Sequence, residues 1–199
     1  MKKNLFVLSL VIFCLMSLKT IENDNDEILI NTILSEIVNQ DSSILNENCK
    51  MVDGFSSPLQ IPPHFYLNDE NFEKLSPYFK TEDKNYYSEQ IAKNRNIKLL
   101  KKNSFKSYDF ISRKKITNFI AKVESDYIKE KDFDYNERYE EKIGAAQEFG
   151  LPLISKDGKY IMFRFQSKLD SEKSRGFQRI YEKQGNTWVV VKSLLEWDK

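Results

Sequence analysis

Hydrophobic positions change their spacing along the chain, and each spacing predicts a different element. Leu5 to Leu18 is an apolar run broken only by Ser9 and Ser17. Asp26 to Gln40 then places Ile28, Leu29, Ile30, Ile33, Leu34, Ile37 and Val38 on one helical stripe, with Asn and Asp at its start to cap free N–H groups. Such a helix is stable only when the stripe is covered, since each side chain gives about 1.5 to 3 kcal/mol on full burial. Residues 41–63 read as a linker, because Asp-Ser-Ser, Gly54, Ser56-Ser57-Pro58 and Pro62-Pro63 break any period.

The middle of the chain reads as mainly helical. Asn68 to Phe79 gives a short candidate, and Thr81 caps a second one whose first turn carries Glu82 and Asp83 and whose inner face carries Tyr87 and Ile91. Ile97 to Lys101 and Tyr108 to Ser112 are too short to separate strand from loop. Ile116, Phe119, Ile120, Val123 and Tyr127 follow i, i+3, i+4, i+7 and i+11, which predicts a helix ending near Lys131.

After Gly150 the period falls to two. Leu151 to Ile154, the Asp157-Gly158 turn and Lys159 to Ser167 form a hairpin pattern, since Asp-Gly accepts the positive φ of a tight turn. Ile161, Phe163 and Phe165 alternate with Tyr160, Met162, Arg164 and Gln166. Phe177 to Lys183 and Thr187 to Leu195 follow, and Trp188-Val189-Val190-Val191, apolar on both faces, predicts a strand inside the sheet. The expected fold is α+β, with helical amino-terminal and middle regions packed on a carboxy-terminal antiparallel sheet of about four strands over residues 151–195.

The run Leu153-Ile154-Ser155-Lys156-Asp157-Gly158-Lys159-Tyr160-Ile161-Met162-Phe163, with Gly176, Ile180-Tyr181-Glu182-Lys183, Gly185, Trp188 and Trp197, resembles a group of uncharacterised exported bacterial proteins that end in a similar sheet. The resemblance implies a fold and no activity. Members of that group often carry cysteines between the second and third strands, whereas Lys168 to Gly176 has none. Gly185-Asn186-Thr187-Trp188-Val189-Val190 is also similar to the closing strand of nuclear-transport-factor-like domains, which implies an apolar ligand cavity.

Met1-Lys2-Lys3 ahead of the 14-residue run from Leu5 to Leu18 follows the grammar of a signal peptide, and the run is shorter than the roughly 20 residues a membrane span needs. The expected organisation is a signal peptide over 1–20, the amphipathic helix and linker over 21–63, and one domain over 64–199. Phe13 before Cys14 and the apolar residues after it disfavour lipidation, so a free chain in the periplasm or outside the cell is the expected location. Removal of the signal leaves Cys49 alone, without an internal disulfide partner.

With 199 residues, 31 Lys and Arg against 30 Asp and Glu, 1 His and 2 Cys, composition argues against a nucleic-acid binder and against His- or Cys-rich zinc sites. No cofactor is expected. Local charge is more informative: Lys93 to Lys115 holds nine basic residues and only Asp109, a net of +8. Arg113, Lys114 and Lys115 open the helix that carries Ile116 to Tyr127, where an anion would meet both their charges and free N–H groups; an anionic surface is one expected partner. Asp132, Asp134 and Asn136 have the D-x-D-x-N spacing of a calcium loop, but Glu137 stands where Gly is needed and Ile143 where a bidentate Glu is needed.

Phe65, Tyr66, Tyr86 and Tyr87 crowd one stretch and form a candidate partner or ligand surface. No nucleophile elbow and no phosphate-cradling loop occurs, and no catalytic residue is assigned. The favoured expectation is a non-enzymatic exported protein binding a ligand, protein partner or envelope component. The alternatives are a hydrolase using Asp132, Asp134, Glu137 and Glu141, and a membrane-surface protein using residues 93–115.

Overall fold

The computed structural model describes residues 26–41, 44–56, 73–101, 103–127, 134–169 and 173–198. Helix α1 covers residues 26–40. Strand β1 (Lys50–Val52), helix α2 (Lys84–Asn94), strand β2 (Phe110–Ile111) and helices α3 (Arg113–Tyr127) and α4 (Tyr135–Lys142) follow. The chain then forms β3 (Ala146–Phe149), β4 (Leu153–Ile154), β5 (Tyr160–Lys168), β6 (Ser174–Gln184) and β7 (Thr187–Asp198). The α+β class is correct, but the sheet has seven strands among the described residues rather than about four.

The order is β2-β1-β3-β5-β6-β7, with β4 also paired to β5. Strand β1 runs parallel to β2 and β3, and the remaining pairings are antiparallel, so the sheet is mixed. β3 and β4 lie one after the other along the same edge of β5. The break falls at Pro152, which has no N–H to give to a ladder. Beyond the four expected strands the sheet has β1 and β3, of three and four residues, which the sequence reading lacks, and the two-residue β2, in the stretch it leaves open between strand and loop. Strands this short show no period, and parallel partners reached through helices leave no turn signal.

The span read as a linker therefore contains a strand inside the sheet. Met51 and Val52 are buried, the Met51 amide donates to Asp109 O at 2.7 Å, and the Asp53 amide donates to Ile111 O at 3.0 Å. Helix α1 packs Ile30, Ile33, Leu34, Ile37 and Val38 against one sheet face, over Phe149, Phe163, Phe165, Phe177 and Tyr181. Ile28 and Leu29, placed on the same stripe by sequence, are 53% and 50% exposed. Polar ties fix the helix: the Trp188 indole N–H donates to Glu36 at 2.9 Å, and Asn31 holds both Lys98 O and the Leu100 amide.

Strand β7 corrects a second expectation. It lies at the edge of the sheet, with Val189 40% and Val190 44% exposed, rather than inside it. Its ladder with β6 shifts register twice, between Gln178 and Arg179 and between Ile180 and Tyr181. Those irregularities break the strict alternation that would have separated an inner from an outer strand.

The face away from α1 carries two separate apolar patches. Leu75, Phe79, Tyr87, Leu153, Met162 and Ile180 form one, while Val52, Ile111, Ile116, Tyr139, Ile143 and Ala146 form the other beneath α3 and α4. Polar side chains of β3, β5 and β6 fill the gap between them.

Candidate functional site

Register brings that polar strip together. Glu148 on β3 pairs with Gln166 on β5, Gln166 with Gly176 on β6, and Gly176 with Trp197 on β7, so four residues form one row across the sheet. The next row sets Arg164 beside Gln178 and Leu195, and the row on the other side sets Ala146 beside Lys168 and Ser174. Alternation in β5 turns Phe163 and Phe165 to the α1 core and Arg164 and Gln166 to this face.

Helix α3 closes one side of a cleft of about 660 Å³ over these rows, with Ile116 and Ile120 facing Arg164, Gln166 and Trp197. Its start is fixed by capping: the Arg113 amide donates to the Asp53 carboxylate at 2.8 Å and the Lys115 amide to the Ser112 hydroxyl at 3.2 Å. The positive end of this helix already holds a carboxylate from the β1 loop.

The Arg113 side chain donates to Gly54 O, at 3.2 Å from both Nε and Nη2, and forms an ion pair with Glu148. Gln166 donates its amide to the other oxygen of Glu148, and Arg164 donates to the Gln166 amide oxygen. The result is a ladder Arg113, Glu148, Gln166, Arg164, with two cations and one carboxylate. Glu148 is 13% exposed and Arg113 31%, so the ladder is only partly wetted. The Arg164 guanidinium lies over the Trp197 ring at 5.3 Å, and its buried Nε–H finds no acceptor among the described residues. Burial pushes the Arg164 guanidinium below its ordinary value, opposed by the Glu148 charge. Lys168, a third cation in the cleft wall, sits 4.1 Å over the Tyr139 ring.

The sequence candidates are dispersed. Arg113 reaches the cleft, whereas Lys114 and Lys115 are exposed on α3. Other basic residues of 93–115 serve elsewhere: Lys93 pairs with Asp26 at 2.8 Å and Lys101 lies 5.7 Å over the Phe110 ring. Asp132 lies outside the described residues; Asp134 accepts the Glu137 amide at 3.1 Å as a helix cap, and Asn136 lies within α4. Glu137 and Glu141 are exposed on α4, and Lys142 holds the Glu141 carboxyl below its usual range. Among the described residues no group of three or more His, Cys, Asp and Glu is arranged to hold a metal.

Phe65 and Tyr66 lie outside the described residues. Tyr87 is 1% exposed in the core, because α2 turns positions 87 and 91 inward, and its neighbour Tyr86 faces a small groove with Leu29 and Gln90. Glu148, Arg164, Gln166 and Trp197 were not singled out by sequence. Arg164 and Gln166 read as the outward half of an alternating strand, and only the roof formed by α3 distinguishes them from an ordinary wet face.

No described helix is long and apolar enough to cross a membrane. Comparison with known protein families, curated proteins and solved structures finds no match to this chain.

Proposed function

We propose that the protein is a non-enzymatic binding module that takes a small ligand into the cleft between α3 and the sheet. The carrying observation is the Arg113–Glu148–Gln166–Arg164 ladder set in the wall of a 660 Å³ cleft. Cavities of about 300 to 1,000 Å³ with a few convergent polar groups on an otherwise apolar wall are the usual form of a small-molecule site. Both carboxylate oxygens of Glu148 already accept hydrogen bonds, from Arg113 and from Gln166, which favours holding a ligand over proton transfer.

Export belongs to the same proposal and rests on Met1-Lys2-Lys3 and the Leu5 to Leu18 run. A binding module outside the cytoplasm sees solutes and envelope components. Intact-mass measurement of the native chain in soluble, membrane and medium fractions tests the export half; an uncleaved chain in the cytoplasm contradicts it.

A thermal-shift screen of a small-molecule library tests the binding half. Ligands that raise Tm are expected to lose their effect in Ile120→Trp, which fills the cleft from a position already 38% exposed. Stabilisation that persists in that variant places the site elsewhere and contradicts the proposal.

A further inference from the structure

Helix α3 borders a second depression on its other flank, between itself and α4. We propose that this groove docks an acidic amphipathic helix of a protein partner, its carboxylates met by Lys115 and Lys122 and an apolar side chain seated on Phe119, Val123 and Ile143. The docking site is separate from the ligand cleft and stands or falls without it.

Helical spacing builds the groove. Ile116 and Ile120 turn to the cleft, while Lys115, Phe119 and Lys122 form the next stripe around α3 and turn to α4. Phe119 is half-buried and meets Tyr139 of α4 edge to face at 5.8 Å, and Val123 and Ile143 are buried beside it. At about 290 Å³ the groove falls at the lower limit of small-molecule sites, roughly 300 to 1,000 Å³, and suits a side chain of a partner better than a whole ligand.

Charge sets the sign of that partner. Lys115 and Lys122 on α3 and Arg138 and Lys142 on α4 line the groove, and among the described residues no carboxylate does. The two cations of α4 are left out of the count, because Glu141 pairs with Lys142 and its carboxyl also feels Arg138. Lys115 and Lys122 are exposed, and neither forms an ion pair among the described residues. They stand seven residues apart on one helix face, about 10 Å along its axis at roughly 1.5 Å per residue. Carboxylates at i and i+7 of a helix laid along α3 repeat that spacing, and a groove between helices reads such positions together with an apolar anchor.

A bilayer also offers anionic groups. Interfacial binding, however, sinks apolar side chains past the charged ones, and here the exposed cations rise above a recessed apolar floor.

Fluorescence anisotropy of the full chain with a labelled synthetic helical peptide, a leucine stripe flanked by glutamates, tests the proposal. The peptide is expected to bind, to weaken as salt rises, and to lose about tenfold or more in affinity in Lys115→Glu with Lys122→Glu, where like charges meet. The same charge change in Lys98→Glu with Lys106→Glu, exposed positions outside the groove, is expected to alter affinity by no more than about twofold. A peptide with serines in place of the leucines is expected to bind about tenfold more weakly or worse. Equal binding of the serine peptide, equal loss in the two double variants, or full binding by Lys115→Glu with Lys122→Glu overturns the docking site. Binding of phosphatidylglycerol vesicles without binding of the peptide makes the face a membrane contact and overturns it too, as does binding of neither. All four lysines are exposed, so the variants are expected to melt with the unaltered chain, and the peptide comparison on that chain decides even where a variant does not.

Discussion

Trp197 lies directly against Gly176, its partner across the β6–β7 ladder: a Cβ added to Gly176 would stand 2.2 Å from the indole ring and 2.5 Å from the carbonyl oxygen of Phe165. No flexible chain end is available to yield, since the obstacles are a ring packed on the sheet and a backbone atom of the neighbouring strand. The same ring stacks with Arg164, so a glycine on β6 sets the end wall of the cleft.

Gly176→Ala therefore displaces Trp197 or the strand. The expected loss of stability is about 1 to 3 kcal/mol, as for an overpacked core position. Denaturant unfolding measures it, and tryptophan emission of the folded variant shifts toward that of an exposed indole. A variant with unchanged midpoint and emission contradicts the packing of Trp197 on the sheet.

Among the described residues Glu148 is the only carboxylate in the cleft wall, between Arg113 and the Gln166–Arg164 pair. Glu148→Gln leaves the Arg113 guanidinium without its anion and is expected to cost about 1 to 3 kcal/mol, reduced from a fully buried pair because Arg113 is 31% exposed. Denaturant unfolding measures the loss, and an unchanged midpoint contradicts the role of the carboxylate in the ladder.

The tie between α1 and the sheet is equally open to test. Glu36→Leu removes the acceptor of the Trp188 indole N–H, a bond of 2.9 Å with the indole 6% exposed. The expected cost is about 1 to 3 kcal/mol for a buried donor left unpaired. Trp188→Phe made in addition removes the orphaned donor, so the second substitution adds less in the Glu36→Leu background than alone. Strict additivity in that cycle contradicts the tie.

At the β4–β5 turn, the Ser155 hydroxyl at 2.6 Å and the Lys159 amide at 3.0 Å hydrogen-bond the Asp157 carboxylate and hold it below its usual range. A carboxylate with a depressed folded pKa contributes stability that is present above its unfolded value of about 3.8 and is lost as pH falls through the lower folded value. Melting temperature measured from pH 6 to pH 2 is expected to fall less steeply in Asp157→Asn than in the unaltered chain. Parallel curves contradict this role.

These sites differ in how far the chain's pattern reveals them. The Ser155 to Tyr160 turn and the alternation of β5 were legible because both are local: Gly158 has φ 71°, as an Asp-Gly hairpin requires. Helix α3 was legible for the same reason, since Ile116 and Val123 repeat at helical spacing and are buried. Strand β1 was not, and β2 was left open between strand and loop, because Met51 meets Phe110 and Gln147 only after intervening helices, and strands of two or three residues carry no period. Outer placement of β7 was hidden too: Val189 and Val190 read as buried residues, and position in a sheet is set by the end of the chain's pairing rather than by hydrophobicity.

The cleft was less legible than the fold. Of its ladder, only Arg113 stood out in sequence, as one of three cations at a helix start. Glu148, Gln166 and Trp197 lie far apart along the chain and meet through register across four strands. Arg164 was one of the polar residues that an exposed strand face also carries, and its meaning changes only when α3 covers it.

Mapping of amide chemical shifts on titration with a ligand that raises Tm in the thermal-shift screen tests the cleft as the ligand site most directly. The expected result is a set of saturable shifts confined to Glu148, Arg164, Gln166, Ile120 and Trp197. Shifts centred instead on Tyr86 and Leu29, or scattered over the exposed lysines without saturation, would contradict it.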